Sequence, residues 1–199
     1  MKITAGMVKE LREKTNAGMM DCKKALTECE GDMTKSVDWL RQKGLSVAAK
    51  RAGRQASEGQ VMSYIHAGGK LGVMVEINCE TDFTGKTDEF SVFAKDVAMH
   101  IAAANPLCIT AEELPADVVE REREIYRGQA LDAGKPEKIV DKIIEGKMKK
   151  FISESCLLSQ PFVKDTDKTV EDLLNEMRAK TGENVQIRRF VRYQLGEQA

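Results

Sequence analysis

Apolar positions in the first 44 residues recur at helical spacing in three short bursts, each closed by a glycine. Val8, Leu11 and Arg12 share a face of the first, which Thr4 is placed to cap and Gly18 breaks. Cys22, Ala25, Leu26 and Cys29 point inward on a second that starts at Asp21 and stops at Gly31. Asp32 opens a third, with Val37, Trp39 and Leu40, ending at Gly44. The pattern predicts a three-helix module over residues 1–44. Between 45 and 59 the segment LSVAAKRAGRQASEG sets Lys50, Arg51 and Arg54 among small residues without a large apolar stripe. It reads as a solvated linker or frayed helix, and a domain boundary belongs there.

The period then changes from helical to two. Val61, Ser63 and Ile65 alternate with polar or small neighbours, Gly68-Gly69-Lys70 turns the chain, and LGVMVEIN is rich in β-branched residues, which together predict a β-hairpin. Helical spacing returns from Lys86 to Ala104 through Phe90, Phe93, Ala94, Val97 and Ile101, until Asn105-Pro106 stops it; this helix should cover one face of the sheet. Residues 117–152 form the most charged stretch, and Gly134-Lys135-Pro136 splits it into a helical hairpin. Its second arm carries Ile139, Val140, Ile143, Ile144, Met148 and Phe151. Its first offers only Val118, Ile125, Tyr126 and Ala130, so a projecting antiparallel pair is expected. After Gln160-Pro161 a helix runs near Val170 to Lys180, Thr181-Gly182 turns the chain, and VQIRRFVRYQL alternates like a strand. Joined to the hairpin, that strand makes a three-stranded antiparallel sheet. The expected class is α+β, with a core over residues 60–199.

Composition narrows the function. Charged residues are 32% of the 199 yet sum to −1, so no field of one sign recruits nucleic acid or anionic membrane, and a folded partner is the better expectation. The longest apolar runs, such as Leu71 to Ile77, are far below the ~20 residues of a membrane span, and MKITAGMVKELREK has no signal-peptide core. A soluble, cytoplasmic protein is expected. Five irregularly spaced cysteines, Cys22, Cys29, Cys79, Cys108 and Cys156, suit reduced thiols better than a disulfide framework. No phosphate-binding loop is present, since HAGGKLG has neither the spacing nor the following helix, so no nucleotide site is expected. His66 and His100 stand apart and no metal-ligand spacing occurs. Cys156 beside Ser155 has no partner that would fix a base, so neither metal, cofactor nor enzymatic chemistry is expected. Lys147, Lys149 and Lys150, with Arg188, Arg189 and Arg192, raise a nucleic-acid reading, but 5% aromatic residues provide little for base stacking and a solvated face is preferred.

Three separated segments, VKELREKTNAGMMDCKKALTECEGD, INCETDF, and EGKMKKF followed by SQPFVKD, closely resemble the elongation factor Ts family, and the resemblance covers nearly the whole chain. It implies an N-terminal domain similar to ubiquitin-associated domains, an α+β core and a coiled-coil hairpin. It also implies a guanine nucleotide exchange factor that binds elongation factor Tu and releases GDP. In that family the motif matched by Thr81, Asp82, Phe83 and Thr84 reaches the side of the partner's nucleotide pocket and dislodges magnesium. Met19 and Met20, after Gly18, match the loop that docks on the GTPase domain, and His66 matches a strand position that in longer members lies toward the other end of elongation factor Tu. The family often has an aliphatic residue after Asp-Phe, where this chain has Thr84 and then Gly85. Longer members carry two related copies of the strand-helix core and this chain one, which implies a homodimer in a two-to-two complex, joined at the sheet edges or around Phe190 to Tyr193. Without the resemblance, Thr81 or Asp82 reads as the cap of a helix starting near Lys86 and Phe83 as core. Met19 and Met20 then read as module core, and His66 as a hydrogen-bonded core or surface histidine.

Overall fold

The computed structural model describes residues 3–15, 17–51 and 53–197, with residues 45–51 described by their backbone alone. The chain divides into two compact units, one made of Met1–Gly59, Asn78–Phe90 and Leu174–Gln186, the other of Gln60–Ile77, Ser91–Leu173 and Ile187–Ala199.

The first unit opens with helices α1 (Ala5–Thr15), α2 (Met19–Glu28) and α3 (Met33–Arg51). Val8, Leu11, Cys22, Ala25 and Leu26 are buried together, with Met33, Val37, Trp39 and Leu40 packed against them. Arg12, read onto the same face as Leu11, is exposed. Thr4 does cap α1, its Oγ1 accepting from the Met7 N–H at 3.3 Å, and Asp32 caps α3 by accepting from the Lys35 N–H at 3.0 Å. Gly31 ends the α2 turn at φ +84°, its N–H bonded to Leu26 O at 2.8 Å. Gly44 does not end α3, which runs on to Arg51. A glycine terminates a helix when it takes the left-handed conformation; Gly44 keeps negative φ and sits inside the helix, where it costs about 1 kcal/mol relative to alanine. The side chains of Lys50 and Arg51, read as part of a linker, lie outside the described residues.

Strands β1 (Glu58–Ile65) and β2 (Leu71–Cys79) make the hairpin, closed by His66 N–H to Leu71 O at 2.8 Å over a turn in which Gly68 and Gly69 have φ +90° and +68°. Helices α4 (Asp82–Gly85) and α5 (Asp88–Ala104) follow. The start expected near Lys86 is thus two residues early, because Thr87 is the cap: its Oγ1 accepts from the Phe90 N–H at 3.2 Å. The last strand, numbered β5 (Gln186–Gln194), pairs with β2, so the antiparallel sheet has the order β1-β2-β5. Alternation along β2 buries Val73, Val75, Ile77 and Cys79 on one side. Phe93, Ala94, Val97, Ala98 and Ile101 form the buried face of α5. Gln60 Nε2 to Ser91 Oγ at 2.9 Å and Arg192 Nε to Ala102 O at 3.4 Å tie the sheet to that helix.

In the second unit α6 (Ala116–Asp132) and α7 (Glu137–Ser155) are the expected helical hairpin, turned at Gly134 with φ +67°. Ala130, Val140, Ile144 and Met148 form its buried seam, with Val119, Tyr126, Ile143 and Phe151 beside them; Ile125 and Ile139, read into the seam, are exposed. Pro161–Phe162 (β3) and Asp165–Thr169 (β4) form a small antiparallel hairpin that carries no periodic signal in the sequence. It leads into α8 (Val170–Thr181). Cys108 and Cys156 face each other in one bridge, Sγ to Sγ 3.6 Å, and burial pushes the Cys108 thiol up to about 12.

His100 is fully buried on α5, its Nδ1 accepting from the Val163 N–H at 3.2 Å, which leaves Nε2–H to donate to Gln160 Oε1 at 2.9 Å. Burial lowers its pKa below 6.5, against a smaller opposing effect of the Gln160 bond. On acidification the unfolded chain therefore takes up this proton first. The stability due to neutral His100 is complete above pH 6.5 and declines as pH falls toward the folded value. Thermal melts should shift to lower temperature over that interval; a melting temperature flat across it would contradict the assignment.

Candidate functional site

The motif INCETDF spans the end of β2 and the start of α4. Thr81 leaves the strand with extended backbone and caps α4, its Oγ1 accepting from the Thr84 N–H at 3.3 Å. One turn of helix then sends the three side chains of Asp82, Phe83 and Thr84 in different directions and ends at Gly85. Phe83 is 82% exposed. Asp82 faces solvent, with Lys86 Nζ 2.5 Å from its Oδ2. Thr84 and Gly85 are buried. Gly85 lies against the backbone of Gly59: a Cβ there would come within 3.2 Å of Gly59 Cα, tighter than van der Waals contact allows without movement.

The turn is held by Glu183, in the loop after α8. Its Oε2 accepts from the N–H groups of Glu80 at 2.9 Å and Thr81 at 3.1 Å, and its Oε1 from the hydroxyls of Thr81 at 2.6 Å and Thr84 at 2.7 Å. Burial pushes this carboxyl up, but the bonds from Thr81, Thr84 and the two backbone donors outweigh it and hold the pKa below 4.5, so Glu183 is ionised at neutral pH. In return the Asn184 N–H donates to Glu80 Oε1 at 2.6 Å, and Asn184 Nδ2 donates to Arg54 O at 2.8 Å. Cys79, at the strand end, donates to Thr81 O at 3.2 Å; burial and then the Glu183 charge raise its thiol to about 11.

The arrangement therefore presents one aromatic ring and one carboxylate on a fixed backbone. An isolated exposed apolar side chain is ordinary on a protein surface. One on a clamped turn has already lost most of the backbone freedom that binding would remove, which favours contact with a partner.

The readings of Thr81, Asp82, Phe83 and Thr84 resolve unequally. Thr81 is a cap, as the local reading allowed, but of α4 rather than α5. Phe83 is not core. Thr84, grouped with the partner-facing residues, is buried under the turn and supports it. Met19 and Met20 are 50% and 75% exposed, and they form the first turn of α2 rather than a loop before it, so they are not module core. His66 lies in the hairpin turn just after β1, exposed, with its Nδ1 3.0 Å from the Tyr64 hydroxyl. Nothing in the sequence pattern marks Glu183: it stands about a hundred residues from the turn in a Thr-Gly-Glu-Asn loop, and its spacing carries no signal.

The candidate basic surface is largely engaged. Arg189 Nε lies 2.6 Å from Glu76, Arg192 bonds Ala102 O and Gln194, Lys147 bonds Gln129 at 2.5 Å, and Lys150 pairs with Glu154 at 3.6 Å. Among the described residues no group of three or more His, Cys, Asp or Glu is arranged to hold a metal ion, and no helix is long and apolar enough to cross a membrane.

The family model described as elongation factor TS matches residues 4–197. The chain is 63% identical over 195 residues to the elongation factor Ts of Desulfosudis oleivorans, covering 98% of each protein. It is 64% identical over 196 residues to that of Desulfotalea psychrophila, covering 98% of this chain and 100% of that one. With the elongation factor Ts of Syntrophobacter fumaroxidans it shares 61% over 198 residues, 100% of this chain and 99% of that one. By these matches the chain is a translation elongation factor, a component of protein biosynthesis. It belongs to the elongation factor Ts family.

Proposed function

We propose that this chain is a guanine nucleotide exchange factor for elongation factor Tu, acting in the cytoplasm and promoting GDP release by disturbing the partner's magnesium and phosphate site. The observation that carries the reading is Phe83, 82% exposed on a turn that Glu183 holds on both sides of it, through the Glu80 N–H and the Thr84 hydroxyl. A nucleotide leaves fast when a partner prefers the emptied or distorted site, and a thousandfold preference corresponds to ~4 kcal/mol of negative coupling. A rigid ring supplies the displacement, and the Asp82 carboxylate, once freed from Lys86, supplies a negative charge near a cation. The chain makes and breaks no covalent bond in this role. The test is the release of labelled GDP from preloaded elongation factor Tu: a large acceleration by catalytic amounts of the chain supports the reading, and an unchanged rate removes it.

In this reading residues 1–44 dock and residues 60–199 carry out the exchange. Met19 and Met20 offer adaptable thioethers to a groove on the GTPase domain. Replacing both with alanine should raise the concentration needed for half-maximal exchange several-fold while the maximal rate changes little. Titrations that superimpose on the unmodified protein would rule docking out. His66, on the hairpin turn, is proposed as a second, peripheral contact.

The working unit is proposed to be a homodimer in a two-to-two complex. What supports it is the outer face of the sheet. Ile65 lies over Gly72, and Glu76 pairs with Arg189, which puts Val61, Ile65, Met74, Val191 and Tyr193 on one side by strand alternation. They are exposed by 63%, 66%, 50%, 38% and 72%, an apolar face that a twofold copy would cover. Light scattering should give twice the chain mass; a monomer that exchanges at full speed in a one-to-one complex would contradict it.

A further inference from the structure

We infer that Glu183 is a positioning residue for nucleotide exchange, acting through Phe83; the inference rests on the exchange reading above. The four donors to its carboxylate come from Glu80, Thr81 and Thr84, which bracket Phe83 on both sides in sequence. Removing that acceptor leaves two backbone N–H groups and two hydroxyls without it at the junction where β2 becomes α4.

The effect on the cap is specific. Thr81 Oγ1 has one proton and donates it to Glu183, which leaves a lone pair to accept from the Thr84 N–H at 3.3 Å. Glu183 thus orients the hydroxyl that starts α4, and with it the direction in which Phe83 leaves the backbone. The anchor itself is fixed: the Glu183 N–H donates to Thr181 Oγ1 at 3.3 Å, Gly182 turns the chain at φ +75°, and the Asn184 N–H bonds Glu80 Oε1 at 2.6 Å. Turn and anchor hold each other reciprocally, through an ionised group whose hydrogen bonds are stronger than neutral ones. Phe83 has 82% of its surface in solvent and little packing to orient it, so the clamp on the residues that flank it sets where the ring points.

The two simplest substitutions make different demands. Glu183→Ala removes all four bonds. Glu183→Gln keeps the shape: its amide oxygen accepts from the two N–H groups and its amide nitrogen donates to the hydroxyl oxygens, which rotate to receive it. Partial rescue by Gln is therefore expected of a positioning group.

The experiment measures labelled GDP release from preloaded elongation factor Tu over a range of chain concentrations, for Glu183→Ala and Glu183→Gln, each in the Phe83 and the Phe83→Ala background. The maximal rate should fall about tenfold for Ala and clearly less for Gln, with the half-saturating concentration nearly unchanged, and neither substitution should lower the rate further once Phe83 is gone. A Glu183→Ala protein with the original maximal rate, or one whose loss is as large in the Phe83→Ala background, overturns the inference. Should Glu183→Ala fail to fold, Glu183→Gln is judged by the same two criteria. The controls separate the levels: an unmodified chain that does not accelerate release removes the exchange reading and this inference with it. An active chain indifferent to Phe83→Ala keeps the exchange reading and removes the positioning role.

Discussion

Replacing Phe83 with alanine is expected to lower the accelerated release of GDP from elongation factor Tu by roughly an order of magnitude while leaving folding intact. The ring is 82% exposed, so its removal creates no cavity and should change stability by less than ~1 kcal/mol. The turn keeps its cap and its four bonds to Glu183, none of which involves the ring. Complex formation should persist through the remaining contacts. Asp82→Ala should be milder, because that carboxylate is already shared with Lys86 in the free protein and the displacement is driven by the ring. Melting and GDP release measured on the same preparations decide the matter: a Phe83→Ala protein that exchanges at the original rate places the wedge elsewhere.

Phe90, seven residues further on, should respond in the opposite way. It is completely buried at the start of α5, just inside the Thr87 cap, and truncation to alanine leaves a void that a close-packed interior closes only in part. The expected cost is ~3–5 kcal/mol of folding stability, which at ~2–4 °C per kcal/mol for a chain of this size is a fall in melting temperature of several degrees or more. Exchange measured well below the melting transition should be close to normal. Two phenylalanines in one short segment thus give separable losses, one of activity and one of stability. A Phe90→Ala protein of unaltered melting temperature would mean that the segment is packed differently.

What the sequence made legible is what depends on local periodicity. The three N-terminal helices, the Gly68-Gly69 hairpin, the Val140-Ile144-Met148 seam and the alternating last strand each bury a repeating set of positions, and a repeat is visible without knowing what lies opposite. Glycine was less reliable, because its meaning depends on φ: Gly31 and Gly134 take positive φ and turn the chain, whereas Gly44 stays helical within α3. The end of β2 was legible as a cap but not as a clamp. Thr84 faces the interior with its hydroxyl on Glu183, and no one-dimensional pattern connects residues a hundred positions apart. Exposure of Phe83 is likewise a tertiary fact: Phe83, Phe90 and Phe93 look alike in sequence, and only the short α4, ending at Gly85 against Gly59, turns the first of them outward.

In the function proposed above, the Phe83 turn frees GDP by displacing the partner's magnesium. The most direct test compares GDP release driven by the unmodified chain and by Phe83→Ala, at saturating concentration, first with magnesium present and then with it chelated. A large advantage of the unmodified chain is expected when magnesium is bound and little or none once it has been removed, because the step that Phe83 drives has then already occurred. An advantage of equal size under both conditions would show that the turn acts on something other than the metal site.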